Sequence, residues 1–268
     1  LNLAEPQQIV PVNRFDIQTA ATGPEDRASA VVEAIRVIEL ASQTAAGIYS
    51  TEESVEAVFN SQGVAAYHTG TMATFSITAM DQDSSGWAKA SAVQRRDLDP
   101  VALARSASDK ARLSRSPGEL SPGDYTVVLE PAAVLDVVGQ MFGDFSGTAM
   151  TDQRSFLNNR IGQRVFGENI HIEDDVRHPL QAGPAFDGEG MPRKRLTLVE
   201  AGVPRDLSYS RASAAKAGVA PTGHGFPLPN EMGEAPVNIV VRGGNVPVSQ
   251  MIASIHRGIL VTRLWYSR

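Results

Sequence analysis

Residues 125–144 have the hydrophobic pattern of a buried strand that leads directly into a helix. The first five residues are aromatic, β-branched or aliphatic, as in a buried strand. Glu130-Pro131 ends that strand, because proline cannot donate a hydrogen bond to a sheet and suits the first turn of a helix. Apolar side chains then recur at helical spacing on one face: Ala133, Val134, Val137, Val138 and Met141. Gly143 follows them and predicts the end of the helix.

The N-terminal part of the chain changes from a helical period to a period of two. The Thr22-Gly23-Pro24-Glu25 sequence is typical of a helix start, and Asp99-Pro100 is a second such signal. Between them, apolar and polar residues alternate as in antiparallel strands. The predicted elements are a short strand at 9–12, a helix at 25–46, a meander of antiparallel strands between Ile48 and Val93, and a helix that begins at Pro100.

The C-terminal part interleaves strands and short helices. Residues 114–123 are rich in serine, proline and glycine, which predicts an exposed connector and a boundary between two modules, residues 1–116 and 117–268. Beyond the 125–144 segment, strands are predicted at 168–173, 194–200, 203–209, 237–242 and 259–266, and helices at 151–160, 212–217 and 247–257. Because there is no regular βαβ order, we expect an α+β fold with a mixed or antiparallel sheet.

Composition excludes several classes of function. The net charge of -6 and the pI near 5.4 argue against nucleic acid or an anionic membrane as the main partner, because both require a basic face. Without cysteine there is no disulfide, thiolate zinc site or cysteine nucleophile. The first residues lack the pattern of a signal peptide, so we expect a cytoplasmic protein.

A first candidate site is the run His171-Ile172-Glu173-Asp174-Asp175 together with His178. His171 and Glu173 would share one face of a strand, and imidazoles with carboxylates could bind a divalent cation. An acidic turn after an edge strand has the same composition, so a metal site and an ordinary turn both remain open.

A second candidate is the glycine-rich turn at residues 183–190, which contains Phe186, Asp187, Glu189 and Gly190. Glycine lets the backbone approach another chain closely, and the two carboxylates could hold amides or a basic group of a bound peptide. The alternative is an ordinary turn in which the aspartate caps its own backbone.

A third candidate is the segment 221–227, in which Thr222 and Gly223 precede His224. Flanking glycines would leave His224 accessible as a general base. The chain contains no nucleophile-elbow serine motif to pair with it, so a structural hydrogen bond is the alternative.

These segments together resemble the TldD/PmbA family, also called TldD/TldE. The resemblance covers residues 33–266, and its most specific part is the Phe186-Asp187-Gly188-Glu189-Gly190 turn, followed by Val199-Glu200-Ala201-Gly202-Val203 and Thr222-Gly223-His224. It implies a middle antiparallel sheet with flanking helices, followed by a mixed, barrel-like β domain. Family members extend further at both ends.

The family's TldD-type chains carry H-E-x-x-x-H on the helix after the opening strand. They pair with a TldE/PmbA-type chain that lacks this motif, and together the two form a cytosolic metallopeptidase that acts on unfolded peptides. The aligned stretch here, residues 130–136, contains no histidine, which is similar to the PmbA/TldE type. The resemblance therefore implies no catalytic residue, metal or other cofactor in this chain. It implies a TldD-like partner, or a second copy of the chain, and an unfolded peptide as substrate.

Three hypotheses follow. The chain is a non-catalytic subunit of a TldD-type metallopeptidase, with peptide-binding residues Phe186, Asp187, Glu189, Gly190, Thr222, Gly223 and His224. Alternatively, it is a self-sufficient hydrolase that uses Asp187, Glu189 and His224, with a metal at His171 and His178. The third hypothesis is a peptide-binding assembly module that has no peptidase partner.

Overall fold

The structure is a computed structural model that describes residues 3–264. It divides into two compact units. The sheet unit consists of Asn13–Glu56 and Thr69–Pro122, and the C-terminal unit consists of Leu1–Val12, Ala57–His68 and Gly123–Arg268, as far as these are described. No helix among residues 3–264 has the length and apolar character needed to cross a bilayer.

The elements before residue 122 alternate between helix and strand as the hydrophobic periods predict. They are α1 (Ile17–Ala20), α2 (Pro24–Leu40), β1 (Thr44–Phe59), β2 (Ala65–Met80), β3 (Ser85–Ala92) and α3 (Pro100–Leu113). The strands form an antiparallel sheet in the order β1-β2-β3, in which Phe75 lies opposite Ala90 and Ile77 opposite Ala88. The predicted meander is therefore confirmed.

The core of the sheet unit lies between this sheet and helices α2 and α3. Phe75 and Ile38 are its largest buried side chains, and small residues of α3 face them, among them Ala104 and Ala107. Gly86 permits the close approach of α3, because a Cβ atom there would lie 2.0 Å from the carbonyl oxygen of Ala107. Asp99 caps α3 by accepting a 2.9 Å hydrogen bond from the N–H of Ala102.

The C-terminal unit contains the remaining elements. They are β4 (Thr126–Leu129), α4 (Pro131–Val138), α5 (Gly147–Thr151), β5 (Ile172–Asp174), β6 (Leu196–Glu200), β7 (Val203–Pro204), α6 (Arg211–Ala217), β8 (Ile239–Val241), α7 (Val248–Ala253) and β9 (Gly258–Val261). Strands β4 and β9 pair in parallel, and the other four form an antiparallel sheet in the order β7-β6-β5-β8. The α+β class is confirmed, and the described strands form open sheets without a closed barrel.

The strands predicted at 168–173 and 203–209 are found at Ile172–Asp174 and Val203–Pro204. The helix predicted to end at Gly143 ends at Val138 and is followed by a 3-10 helix, Gly139–Phe145. Three other predicted elements differ more from the structure. The helix predicted to reach Ala46 ends at Leu40, because Ser42 takes a left-handed φ of 58° and the chain then enters β1. The strand predicted at 9–12 is absent, and the first bridge joins Arg14 to Gly70.

The third difference concerns the helix predicted at 151–160: Thr151 is the last residue of α5, and residues 152–160 form turns and irregular structure. Gln153 and Asn159 have φ angles of 57° and 61°, outside the helical region. The side chain of Asp144 also accepts a hydrogen bond from the N–H of Phe156, which competes with helical pairing. The predicted strand end at residues 265–266 lies outside the described residues.

Candidate functional site

The turn at 186–190 is organised by the carboxylate of Asp187, whose residue is only 2% exposed. Its Oδ1 atom accepts hydrogen bonds of 2.9 Å from the N–H groups of Glu189 and Met191. Its Oδ2 atom accepts a 2.8 Å bond from the N–H of Gly225. Burial raises the pKa of Asp187 above its ordinary value, although the three backbone donors oppose that rise. One side chain thus closes the turn and joins it to the 222–225 segment.

Glu189 points from the same turn to the start of helix α6. Its Oε2 atom accepts a 2.9 Å hydrogen bond from the N–H of Arg211, the first residue of that helix. Burial raises the pKa of Glu189, and the negative charges of Asp187 and Glu234 raise it further. The carboxylate therefore occupies the helix end at which the backbone dipole favours negative charge.

Glu234 is a second buried carboxylate at this helix start, and its residue is 2% exposed. It accepts hydrogen bonds of 2.6 Å from the Ser213 hydroxyl and 3.1 Å from the N–H of Ser210, both at the start of α6. It also accepts 2.8 Å bonds from the Ser146 hydroxyl and the N–H of Thr148, both at the start of α5. Burial alone would raise the pKa of Glu234, but these donors lower it below its ordinary value. The N-termini of two helices thus share one carboxylate.

His224 is a buried residue of the 222–225 segment and is 1% exposed. Its Nδ1 atom lies 2.9 Å from the Thr222 hydroxyl, and its Nε2 atom lies 3.2 Å from Oδ1 of Asp174. Asp174 also accepts hydrogen bonds from the N–H groups of Val237 and Asn238. Burial would raise the pKa of Asp174, but His224 and the two N–H groups hold it below its ordinary value. The pair therefore joins β5, the 222–225 segment and the residues before β8.

Two glycines permit the close packing of these turns. Gly190 has a φ of 80°, and a Cβ atom there would lie 2.6 Å from Cγ1 of Val64. Gly223 has a φ of 74°, and a Cβ atom there would lie 2.1 Å from the carbonyl oxygen of Pro192. A side chain at Gly223 would meet backbone, which cannot move aside without displacing the chain.

An open cleft of about 350 Å³ lies beside this network. Glu234 and Ser146 form part of its lining, and Phe226, Met232 and Arg154 line it as well. The cleft gives solvent-sized molecules a route to the edge of the buried carboxylates.

The structure brings together all seven residues that the sequence indicated for peptide binding. They lie in the two turns that Asp187 connects, and all except Thr222, which is half-buried, are buried. Their contact with a peptide remains a prediction. Sequence reasoning missed Glu234, and it placed Asp174 in a candidate metal site rather than beside His224. The Gly233-Glu234-Ala235-Pro236 sequence, a lone carboxylate between residues that break helices and strands, is the signal that could have indicated Glu234.

The residues proposed for a metal site do not form one in the described part of the chain. Glu173 is held by Arg195 and Arg242, and the Nδ1 atom of His178 accepts a hydrogen bond from the N–H of Leu180. Among residues 3–264, no group of three or more histidine, aspartate or glutamate side chains is placed to bind a metal ion.

The strand-to-helix junction at Glu130 also lacks the ligands of a catalytic metal. Helix α4 begins at Pro131 after strand β4, as predicted, and its buried face carries Ala133. Its one carboxylate, Asp136, accepts a 2.8 Å hydrogen bond from the N–H of Leu264. Aliphatic side chains and a carboxylate that already has a backbone partner do not fit a zinc ion, which binds imidazole, thiolate and accessible carboxylate.

Comparison with known proteins places both parts of the chain in one family. Residues 17–115 match the PmbA/TldA metallopeptidase central domain, and residues 122–267 match the PmbA/TldA metallopeptidase C-terminal domain. A curated protein named metalloprotease, from Methanothermobacter thermautotrophicus, is 24% identical over 226 residues, which cover 79% of this chain and 49% of that protein. This chain thus spans about half the length of that relative.

Two solved structures have the same fold. TldE from Thermococcus kodakarensis superposes with a TM-score of 0.83 at 21% identity and covers 100% of this chain and 63% of its own. A Thermotoga maritima protein, described as a candidate modulator of a DNA gyrase, gives a TM-score of 0.90 at 20% identity, with 98% and 62% of the two chains covered. With both domain matches, these findings show that the chain belongs to the PmbA/TldD family of metallopeptidase-like proteins.

Proposed function

We propose that this chain is a non-catalytic subunit of a cytosolic TldD-type metallopeptidase complex that processes unfolded peptides. Its partner in this proposal is a chain that carries H-E-x-x-x-H, or a second copy of itself in a dimer. With an H-E-x-x-x-H partner, the role of this chain is to position a peptide beside the metal site of that partner. A dimer of two copies of this chain would hold a peptide without a metal site of its own.

One observation carries the proposal: the β4–α4 junction keeps its strand and helix but carries no imidazole between Glu130 and Asp136. The TldD-type chains that this chain resembles carry two histidines in H-E-x-x-x-H on this helix, and imidazoles are common ligands of a catalytic zinc ion. The helix is thus retained without the ligands that make such a helix catalytic. A subunit that assembles with a metal-bearing chain accounts for both facts.

The C-terminal unit also has features suited to holding an extended peptide. Strand β8 lies at the edge of its sheet, and an extended peptide can add to such an edge through main-chain hydrogen bonds. The turns at 183–190 and 222–225, which contain the predicted peptide-binding residues, are joined by Asp187. Six of those seven residues are buried, so in this proposal they hold the shape of the surface on which a peptide lies. A fixed surface loses little conformational entropy when it binds.

The self-sufficient hydrolase is the weaker alternative. Asp187, Glu189 and His224 are 2%, 5% and 1% exposed, and the two carboxylates already accept backbone hydrogen bonds. A general base must reach the proton that it removes. In this conformation none of the three side chains is open to a substrate.

The test is to co-express the chain with the H-E-x-x-x-H homologue of the same genome and to purify the pair. We expect a stable complex at micromolar concentration that cleaves unfolded peptides, while the isolated chain cleaves none. In the control pair, alanine replaces the first histidine of the partner's motif, and this pair should assemble without cleaving. The proposal fails if the two chains do not associate, and also if the isolated chain cleaves peptides in the presence of chelator.

A further inference from the structure

A second pocket, of about 310 Å³, opens on the charged face of the β7-β6-β5-β8 sheet. It is separate from the carboxylate network around α6. Its lining comprises His171, Glu173, Arg195, Thr197, Val199, Glu200 and Arg242. Arg195 directly precedes β6 and Arg242 directly follows β8, so the pocket lies across the neighbouring strands β6, β5 and β8.

Glu173 fixes the position of both arginines. It is 7% exposed, and each of its two oxygens engages a different guanidinium. The Oε2 atom accepts hydrogen bonds from Nε and Nη2 of Arg195, at 3.2 Å and 2.5 Å. The Oε1 atom accepts a hydrogen bond from Nη2 of Arg242. Burial would raise the pKa of Glu173, but the two arginines lower it, so the carboxylate is ionised at neutral pH. A buried anion therefore orients two cations toward the same pocket.

Both guanidiniums keep donors that face solvent. The side chains of Arg195 and Arg242 are 56% and 54% exposed. A guanidinium has five N–H donors, and Glu173 uses only part of each set. Two further carboxylates lie near the pocket. Glu200 is paired with Arg205, at 3.3 Å from its Nε atom, and Asp175 forms a second, longer ion pair with Arg195, at 3.8 Å from its Nε atom.

We propose that Arg195 and Arg242 bind an oxyanion in this pocket, and that this oxyanion is the C-terminal carboxylate of a peptide. The assignment to a peptide rests on the proposed function. Guanidinium forks pair with planar carboxylates through parallel hydrogen bonds, and the hydroxyl of Thr197 offers a further donor from β6. The pocket volume is at the lower end of the range for ligand sites, which suits one terminal residue rather than a whole ligand.

The experiment compares two peptides of the same sequence, fluorescein-Ala-Thr-Val-Ala-Thr-Val, one with a free C-terminal carboxylate and one with a C-terminal amide. Fluorescence anisotropy gives the Kd of each for the full chain. We expect the acid to bind about tenfold more tightly than the amide, as is typical of a charge-assisted hydrogen-bonded pair. The preference should disappear in Arg195→Gln and in Arg242→Gln, and Arg242→Lys should keep only part of it, because lysine retains the charge without the fork.

Arg164→Gln is the matched control, because Arg164 forms an exposed pair with Glu168 away from the pocket. It should keep the full preference for the acid. Inorganic phosphate should compete with the acid peptide and not with the amide, since phosphate has the same oxyanion chemistry. If Arg195→Gln does not fold, Arg242→Gln and the phosphate competition still test whether the pocket binds the carboxylate.

Equal Kd values for acid and amide on the unmodified chain would overturn the inference and leave the proposed function intact. Phosphate binding without a preference for the acid would overturn the peptide assignment. If neither peptide binds, the inference fails together with the peptide-binding part of the proposed function. Loss of the preference in Arg164→Gln would also overturn it, because the effect would then come from net charge.

Discussion

The carboxylate of Glu234 accepts a 2.6 Å hydrogen bond from the hydroxyl of Ser213, and both residues are buried. This bond connects the first turn of α6 to a loop 21 residues farther along the chain. Because the same carboxylate binds the start of α5, the two helices and the loop cannot separate without leaving a buried charge without partners. The network around Glu234 is therefore expected to be a main source of stability in the C-terminal unit.

Replacing Glu234 by glutamine should lower the free energy of unfolding by about 2–4 kcal/mol, because an amide NH2 group would face N–H and O–H donors in place of an acceptor oxygen. Urea denaturation followed by circular dichroism measures the change. Glu231→Gln is the control, since Glu231 is exposed, and it should change stability by less than about 0.5 kcal/mol. Equal effects of the two substitutions would contradict the role given to Glu234.

Gly223→Ala should destabilise the chain far more than Gly218→Ala. Both glycines have positive φ angles, 74° and 68°, so alanine is strained at either position. At Gly218 nothing lies within 4 Å of the added Cβ atom, whereas at Gly223 the Pro192 carbonyl oxygen lies 2.1 Å away. We expect a loss of about 1 kcal/mol at Gly218 and of more than about 3 kcal/mol at Gly223. Thermal unfolding measures both, and similar losses would show that backbone contact at Gly223 is unimportant.

Asp174 should make stability depend on acid pH. Its pKa in the folded chain is lower than the ordinary value of 3.8, so its carboxylate stabilises the fold above that pH. This contribution is lost as the pH falls through the range below about 4. The stability difference between the unmodified chain and Asp174→Asn should therefore be largest at neutral pH and should shrink toward about pH 3. Urea denaturation across this range checks the sign, and a difference that grows on acidification would contradict it.

Chelation should leave the stability of the isolated chain unchanged. Among residues 3–264 no cluster of side chains is placed to hold a metal ion. We therefore expect a chelator to remove no bound metal that stabilises the fold. We expect the Tm in EDTA to agree within about 1 °C with the Tm in buffer that contains zinc. A decrease of several degrees in EDTA would reveal a structural metal and would count against the non-catalytic assignment.

The sequence predicted the elements whose signals are local. The alternating pattern of β1 to β3, the Asp99-Pro100 start of α3 and the strand-to-helix change at Glu130-Pro131 each depend on residues close to one another in the chain. The helix predicted at 212–217 also forms, as α6, and Gly218 after it has the left-handed φ of 68° that ends a helix. Local geometry is sufficient in all of these cases.

Elements whose length depends on distant partners were predicted less well. The residues after Leu40 have helix-forming alanines, but pairing of β1 with β2 extends strand structure back to Thr44. Likewise Phe156 gives its N–H to Asp144 rather than to a helical carbonyl, and the predicted helix at 151–160 does not form. Tertiary pairing overrides a weak local preference.

For the candidate site, the order of amino acids is enough to locate the carboxylates, the imidazoles and the glycine turns, and to show that no histidine occurs between Glu130 and Asp136. Which of these groups meet became clear from the folded chain. In the folded chain His224 lies next to Asp174, and Asp187 accepts a hydrogen bond from Gly225. Glu234 accepts hydrogen bonds from the starts of α5 and α6. Most of these contacts connect residues that are 38 to 86 positions apart in the chain. Contacts over such distances depend on how the elements pack against one another, and a local pattern of side chains does not specify that packing.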